Sequence, residues 1–320
     1  MNILLKVAVI GTSNLDKRIQ AWSQIKNTDI VGIVPIDKNV DRDLLADQHL
    51  QVARIDDLEK QDVDIVDLDV PLEIRAATIR QISKEGIHLI CESPLATKVK
   101  EVSSIMKECE TKNVHLHVGN IRRFSPEYVD AKNQVENGNI GKPGVIRLSS
   151  SQAHPGGQND IFTTLGIPEF DWLTWTFGKV ERVMAKQVER IRKNGSPLSY
   201  ALLLLRLENQ AFAHIELSWA QDKRKTSFEL TGNLGMLTHN SETSNPVEIQ
   251  LSGDANKMDG HEGIFNQTAL QCQLTSFVFD IAANEKATGT ANGTLHAIQI
   301  AEAARKSAET GQPVLLTEAD

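Results

Sequence analysis

The chain has little cysteine, with three residues among 320: Cys91, Cys109 and Cys272. Their scattered positions form neither a disulfide framework nor the paired spacing that zinc sites use. We therefore expect no disulfide bonds and no metal site. The low cysteine content suits a reducing compartment.

Basic blocks and long apolar runs are also missing. Lysine and arginine number 34 against 42 aspartates and glutamates, which gives a net charge of −8, so neither nucleic acid nor an anionic membrane is an expected partner. The longest apolar run begins at Tyr200 and is broken by Arg206, far short of the roughly 18 residues that span a membrane. Met1 leads into a strand-like run without a basic leader or a cleavage site, and we expect a cytoplasmic protein.

Apolar runs of strand length alternate with helical patterns in the first third of the chain. Strands are predicted over 6–11, 29–36, 62–70, 87–92 and 114–119, and helices from the first strand to residue 26, near 39–48, and over 71–85 and 98–112. This alternation favours βαβ units, whose right-handed crossovers place the loops after the strands along one edge. We predict a Rossmann-like α/β domain over residues 1–120, built on a doubly wound parallel sheet.

After two glycine-rich turns at 137–144 the pattern changes to longer strands. Strands are predicted over 145–153, 179–190, 198–207, 210–219, 226–231, 235–239 and 247–251, and helices over about 161–177, 263–284 and 293–310. We predict an α+β domain over residues 121–320 with a large, mostly antiparallel, open-faced sheet, while the C-terminal helix can pack back on the first domain. Because an open apolar sheet face must be covered, we expect a homodimer or homotetramer through this sheet.

The segment VAVIGTSNLDKRIQAW places Gly11 between the first strand and the first helix. Amides at a helix N-terminus can receive a pyrophosphate there, so Gly11, Thr12, Ser13 and Asn14 form a candidate cofactor loop. Only the first glycine of G-x-G-x-x-G is present, because Ser13 and Asp16 occupy the other two places. We expect Asp16 to crowd the contact between helix and strand and to place a negative charge near the phosphate.

Carboxylates around the next two strands bear on the same cofactor. The second strand ends at Pro35, where an acidic residue would bind the adenosine ribose, and Asp37 follows two residues later on the same face. The third strand carries Asp67 and Asp69 on one face near the ligand edge, where they would repel a diphosphate. Either an arginine or a helix N-terminus satisfies them in a fold that has lost its nucleotide, or the site binds a cationic or hydroxyl-rich ligand. We predict weak NAD(P) binding.

Four segments resemble the Gfo/Idh/MocA family of NAD(P)-dependent sugar, polyol and inositol dehydrogenases. They are PLEIRAATIRQISKEGIHLICESPLA, VHLHVGNIRRFSPEY, LGIPEFDWLTWTFGKV and GTLHAIQIAEAARKSAETGQPVLL. The resemblance implies a Rossmann domain followed by an open-faced α+β domain, NAD or NADP as cofactor, and a small polar ligand of the sugar or polyol class in the interdomain cleft. With the loop above, the cofactor-binding candidates are Gly11, Thr12, Ser13, Asn14, Asp37, Asp69, Val70, Glu92 and Arg123.

The departures from the family fall on its proton-handling residues. The family lysine that polarises the reacting oxygen is replaced by Ser93, and the aspartate and histidine that bind and deprotonate the substrate hydroxyl are replaced by Thr164 and Pro168. Of that helix motif, Asp171 remains. A positioned base contributes roughly two to four orders of magnitude to such a reaction, so the replacements argue against ordinary hydride transfer.

Two functions stay open. The first is a pseudo-dehydrogenase, a pseudoenzyme that keeps the fold and binds a small polar ligand without hydride transfer. The alternative is an active NAD(P)-dependent oxidoreductase on a sugar or polyol, with substitute residues in new roles. The candidate catalytic residues for either are Glu92, Ser93, Asp171 and the loop residue His154. A lone histidine in a Gly/Pro loop is more often structural than catalytic.

Overall fold

The computed structural model describes residues 4–12, 15–36, 62–157, 159–193, 195–243, 248–251, 258–259, 268–283 and 288–316. The chain forms two compact units, one made of Met1–Phe124 with Asn266–Leu295 and the other of Ser125–Phe265 with His296–Asp320. The first unit therefore includes a segment from the C-terminal part of the chain, in addition to the N-terminal residues of the predicted first domain. The helix predicted near 39–48 lies outside the described residues.

The first unit contains a five-stranded parallel sheet. Its strands are β1 (Leu5–Gly11), β2 (Thr28–Pro35), β3 (Ile65–Asp69), β4 (His88–Glu92) and β5 (Leu116–Gly119), in the order β2-β1-β3-β4-β5. Each neighbouring pair is parallel, which confirms the predicted doubly wound sheet. Residues 7–10 of β1 are completely buried, as expected for a strand covered on both faces.

Helices follow the first, third and fourth of these strands. They are α1 (Leu15–Trp22), α2 (Leu72–Lys84) and α3 (Val99–Thr111). Helix α1 packs Leu15, Ile19 and Trp22 into the sheet core. It ends four residues before the predicted residue 26, because turns follow Trp22 and Asn27 adopts a left-handed φ of 63° that leads the chain into β2.

The second unit is built on a nine-stranded sheet with the order β13-β12-β11-β10-β6-β9-β8-β7-β14. Its strands are β6 (Pro143–Ala153), β7 (Val180–Ile191), β8 (Pro197–Leu207), β9 (Phe212–Ser218), β10 (Ala220–Gly232), β11 (Gly235–Asn240), β12 (Glu248–Leu251), β13 (Met258–Asp259) and β14 (Val314–Leu315). The β6–β9 pair is parallel and the other pairs are antiparallel, which confirms the mostly antiparallel prediction. Along β8, Leu203 and Leu205 are buried while Leu202 and Leu204 are exposed, so one face of the sheet is covered and the other open.

Two helices of the second unit come after β5 in the chain. Helix α4 (Pro126–Glu136) was missed by the sequence reasoning, although proline at the first helical position after Ser125, with Glu127 next, is a standard start signal. Helix α5 (Ile167–Phe177) is preceded by a π-helical turn, Phe162–Gly166. Gly166 allows a close approach there, because a Cβ would lie 3.3 Å from a methyl of Leu217 on β9.

Two further helices lie near the end of the chain, α6 (Ala269–Ala282) and α7 (Thr288–Thr310). Helix α6 belongs to the first unit, where Leu274 and Phe277 join the core formed by Val7, Val9 and Trp22. This placement buries the apolar face of α6 and covers α1 at the same time. None of the helices in the described ranges combines the length and the apolar character that crossing a membrane requires.

Candidate functional site

Four strands of the parallel sheet end at the same edge. Gly11 of β1 lies in register with Asp69 of β3, and Glu92 of β4 with Gly119 of β5. We call the edge defined by these four residues the ligand edge, because open α/β sheets bind ligands beyond the carboxyl ends of their strands.

Gly11 brings the start of α1 close to the sheet. A Cβ at Gly11 would lie 3.3 Å from Leu15 and 3.8 Å from the Cβ of Asp69. The amide of Thr12 donates to the main-chain oxygen of Asp69 at 3.0 Å, so the first residue of the candidate loop is tied to β3. Ser13 and Asn14 lie outside the described residues.

The prediction that Asp16 crowds the contact between helix and strand is wrong. Leu15 fills that contact, whereas the Asp16 side chain is exposed in the first turn of α1, where a carboxylate interacts favourably with the helix dipole. Pro35 ends β2, the edge strand, in register with Gly11. Asp37 lies outside the described residues.

A buried arginine satisfies Asp67, which is completely inaccessible to solvent. Arg18 of α1 donates to one carboxylate oxygen at 2.5 Å, and the indole of Trp22 donates to the other at 2.8 Å. A buried carboxylate is tolerated when it is paired and hydrogen-bonded in this way. Of the two readings left open for the carboxylates of β3, Asp67 follows the one in which an arginine satisfies it.

Glu92 is held by three different helices. Arg18 of α1 donates to Oε1 at 3.1 Å and Gln273 of α6 to the same oxygen at 3.0 Å. Arg75 of α2 donates to the main-chain oxygen at 2.9 Å. Burial opposes the charge of Arg18, but the carboxylates of Asp67 and Glu92 outweigh it and raise the pKa of the guanidinium. The Glu92 side chain remains 29% exposed.

Arg75 also fixes the turn that contains Ser93. Its buried guanidinium donates to the main-chain oxygens of Val70, at 2.8 and 3.2 Å, and of Pro94, at 2.5 Å. The amide of Ser93 donates to the main-chain oxygen of Gly119 at 2.9 Å. The main chain around Ser93 is therefore held at the ligand edge by backbone and guanidinium bonds, and the side chain is partly exposed.

His117 and Gly119 of β5 lie on the face of the strand that packs against α6. A Cβ at Gly119 would collide with the amide of Gln273, so this glycine makes room for the group that holds Glu92. The His117 ring packs 5.4 Å from Phe277, centroid to centroid. Burial lowers the pKa of His117 to about 4, and the nearby charge of Arg123 contributes. Sequence reasoning missed Gln273, which is 181 residues from Glu92 and has no motif around it.

The candidates in the second unit lie on and before α5. Thr164 and Pro168, four residues apart, are partly exposed while the residues between them are buried. Asp171 is 1% exposed. The helical turn therefore carries two partly exposed side chains, and neither of them titrates near neutral pH.

The loop before this helix contains His154 and Asp160. The ring of His154 accepts from the amide of Gly156 at 3.0 Å and stacks edge-on against Trp219. Asp160 accepts from the amide of Thr163 at 2.9 Å and pairs with Arg305 at 3.1 Å. These contacts shape the loop and tie it to the π-helical turn before α5. Among the residues that the structure describes, no group of three or more histidine, cysteine, aspartate and glutamate side chains is placed to hold a metal ion.

Both parts of the chain match models of one protein family. Residues 5–120 match the Gfo/Idh/MocA model of an oxidoreductase family with an NAD-binding Rossmann fold. Residues 128–238 match the model of the GFO/IDH/MocA C-terminal domain.

Individual relatives match most of the chain. An uncharacterized oxidoreductase, YrbE, from Bacillus subtilis is 26% identical, with 96% of this chain and 95% of that protein covered. A myo-inositol 2-dehydrogenase from Thermotoga maritima is 25% identical, with 82% of each covered.

Solved structures share the fold. An oxidoreductase from Agrobacterium radiobacter, crystallised with NAD+, L-tartaric acid and magnesium, has a TM-score of 0.84 at 19% identity, with 98% of each chain covered. A myo-inositol dehydrogenase from Corynebacterium glutamicum has a TM-score of 0.79 at 19% identity, with 99% of this chain and 100% of that chain covered.

Proposed function

The chain belongs to the Gfo/Idh/MocA oxidoreductase family, and from that premise we propose that it is a pseudo-dehydrogenase. In this proposal it binds a small polar ligand of the sugar or polyol class without transferring hydride. The observation that carries the proposal is the residue set at the proton-handling positions, Ser93, Thr164 and Pro168. Oxidation of an alcohol requires removal of its O–H proton, and none of these three side chains accepts a proton near neutral pH.

Weak binding of NAD or NADP is part of the proposal. Asp69 and Glu92 stand at the ligand edge, and Asp16 lies in the first turn of α1. A dinucleotide places its diphosphate at the N-terminus of the helix that follows β1, where positive partial charge attracts it. The carboxylates of Asp69 and Asp16 oppose the attraction, whereas that of Glu92 is paired with Arg18.

The alternative, an active NAD(P)-dependent oxidoreductase, is favoured by one observation. Glu92 is partly exposed, yet Arg18, Arg75 and Gln273 fix it from three helices. Functional groups are held in this way when their position matters. In an active enzyme Glu92 would be the group that accepts the substrate proton.

Turnover separates the two functions. The full-length protein is incubated with NAD+ or NADP+ and either myo-inositol or a neutral hexose, and the absorbance of the reduced cofactor is followed. The proposal predicts no reduction above that of a protein-free control. Turnover that Glu92→Gln abolishes, and that the exposed control variant Glu85→Gln keeps, would replace the proposal by the alternative.

Assembly through the open face of the second unit is also proposed, as a homodimer or homotetramer. Leu202, Leu204 and Phe212 are exposed on this face at the centre of the sheet. A cavity of about 240 Å³ on it is lined by Arg182, Met184, Leu204, Arg206, Phe212 and Pro313. Exposed apolar side chains that adjoin on one sheet face are typical of a subunit interface.

Charges on the same face suit a second copy of the chain. Arg182 and Arg206 lie opposite each other on β7 and β8, and Glu216 lies opposite Leu202 on β9. Arg206 already pairs with Glu181 of its own chain at 3.5 Å, so a two-fold axis that brings Glu216 of the second copy to Arg182 would relieve the remaining contact between like charges.

The oligomeric state tests this part. Leu204→Asp is expected to give a monomer in sedimentation experiments, whereas Ile74→Asp, on an exposed residue of α2 in the first unit, leaves the oligomer intact. A wild-type monomer, or an oligomer that survives Leu204→Asp, would contradict it. We also propose a cytoplasmic location, because three cysteines at scattered positions suit a reducing compartment.

A further inference from the structure

Asp69 stands where a bound diphosphate would approach the chain. It is the last residue of β3, in register with Gly11. Its main-chain oxygen accepts from the amide of Thr12 at 3.0 Å and from the hydroxyl of Thr12 at 3.4 Å. Its Cβ lies 3.8 Å from the position that a Cβ on Gly11 would occupy. The partly exposed side chain of Asp69 therefore lies beside Gly11 and Thr12 at the end of β1.

The cation nearby is already engaged inside the protein. Arg18 is 6% exposed and donates to Asp67 and Glu92. Burial lowers the pKa of Arg18, and the carboxylates of Asp67 and Glu92 raise it. The charge of Asp69 makes a smaller contribution that also raises this pKa. Arg18 pairs directly with Asp67 and Glu92 but not with Asp69. Another buried guanidinium at this edge, that of Arg75, donates to the main-chain oxygens of Val70, Glu92 and Pro94. Because Arg18 is buried, its guanidinium is not available to neutralise a phosphate that approaches from solvent.

We propose that Asp69 is a specificity-determining residue that keeps the diphosphate of a dinucleotide away from the ligand edge through its negative charge. The inference rests on the proposed weak cofactor binding and names the group responsible. Asp16 contributes less, because its carboxylate is exposed and is screened by solvent.

The test is a titration of the full-length protein with NADH, followed by the fluorescence of the nicotinamide. Asp69→Asn removes the charge and keeps the size of the side chain, and Asp69→Ala removes both. Asp62→Asn is the matched control, because Asp62 is exposed and precedes the opposite end of the same strand. Thermal unfolding of each variant verifies that it folds.

We expect both Asp69 variants to bind NADH at least about tenfold more tightly than wild type at low salt, because a carboxylate near a diphosphate repels it strongly where solvent is partly excluded. The gain should shrink in about 0.5 M salt, which screens charges but not steric effects. The Asp62 variant should bind as wild type does.

Each other result has a distinct meaning. If wild type binds weakly and Asp69→Asn binds no better, the role of Asp69 is refuted and weak cofactor binding stands. If Asp69→Ala gains affinity and Asp69→Asn does not, the side chain acts through its size, which refutes the charge mechanism. If wild type already binds with micromolar affinity, the proposed weak binding fails, and the inference that rests on it fails too.

Discussion

Replacing Arg18 by methionine should destabilise the first unit strongly. The guanidinium is buried and donates to Asp67, whose carboxylate has no solvent exposure. After Arg18→Met that carboxylate keeps the indole of Trp22 as a partner and loses its counter-charge. Breaking a buried ion pair by removing one partner costs about 3–5 kcal/mol.

A double-mutant cycle separates the pair from the packing. Asp67→Val alone leaves Arg18 with Glu92 as its partner and should cost about 3 kcal/mol or more, for the same reason. The double variant buries neither charge and replaces the pair by two apolar side chains, one on α1 and one on the covered strand β3. We expect it to cost no more than about 3 kcal/mol in total, most of it from the unpaired indole of Trp22. The coupling energy is then several kcal/mol.

Amide hydrogen exchange on β1 and β3 is the appropriate assay. It reports the free energy of opening of the first unit by itself, whereas a global denaturation curve of a two-unit chain mixes both transitions. The reasoning is refuted if Arg18→Met costs less than about 1 kcal/mol, or if the two single effects add in the double variant. Either result would mean that Arg18 and Asp67 are not an interdependent buried pair.

Three other substitutions probe the same unit. Gly119→Ala should cost about 1–3 kcal/mol in the free energy of unfolding, because the new methyl group collides with the amide of Gln273. His117→Phe should abolish an acid-dependent loss of stability. Folding lowers the pKa of His117 from 6.5 to about 4, so unfolding below pH 6.5 takes up a proton. The wild-type free energy of unfolding therefore decreases by about 3 kcal/mol as the pH falls from 6.5 toward 4. Arg75→Met should cost about 2–4 kcal/mol in thermal or urea unfolding, because three main-chain oxygens, including that of Val70, lose a charged donor.

The controls for these three differ. Gln273→Ala added to Gly119→Ala should recover part of the loss, and no loss in the single variant would contradict the predicted collision. His214→Gln, at a partly exposed position, should keep the acid slope, and a slope that survives His117→Phe would assign it to another group. Arg75→Lys should not restore stability, since an ammonium group cannot bond three separated oxygens as a planar fork can.

The strands of the first unit could be predicted closely because their burial is encoded locally. A strand that is covered on both faces needs a continuous apolar run, and 7–10 forms such a run. The open face of the second sheet could also be predicted, because the sequence of β8 alternates between buried and exposed positions. Helix α4 was missed although its start signal at Pro126 was present.

The polar contacts of the ligand edge could not be predicted. Periodicity shows which face of an element is buried, but it does not show which polar partner meets which. Arg18 and Asp67 are 49 residues apart, and Gln273 reaches Glu92 from a helix near the end of the chain. The exposure of Asp16 was predicted wrongly for a related reason, since the position of a motif glycine does not fix where α1 begins.

The affinity of the wild-type protein for NAD+ tests the central claim most directly. Calorimetric titration of the full-length chain with NAD+ and NADP+ should give dissociation constants no tighter than about 1 mM, or a binding free energy of about −4 kcal/mol or weaker. Saturable binding of either cofactor with micromolar affinity would contradict the account.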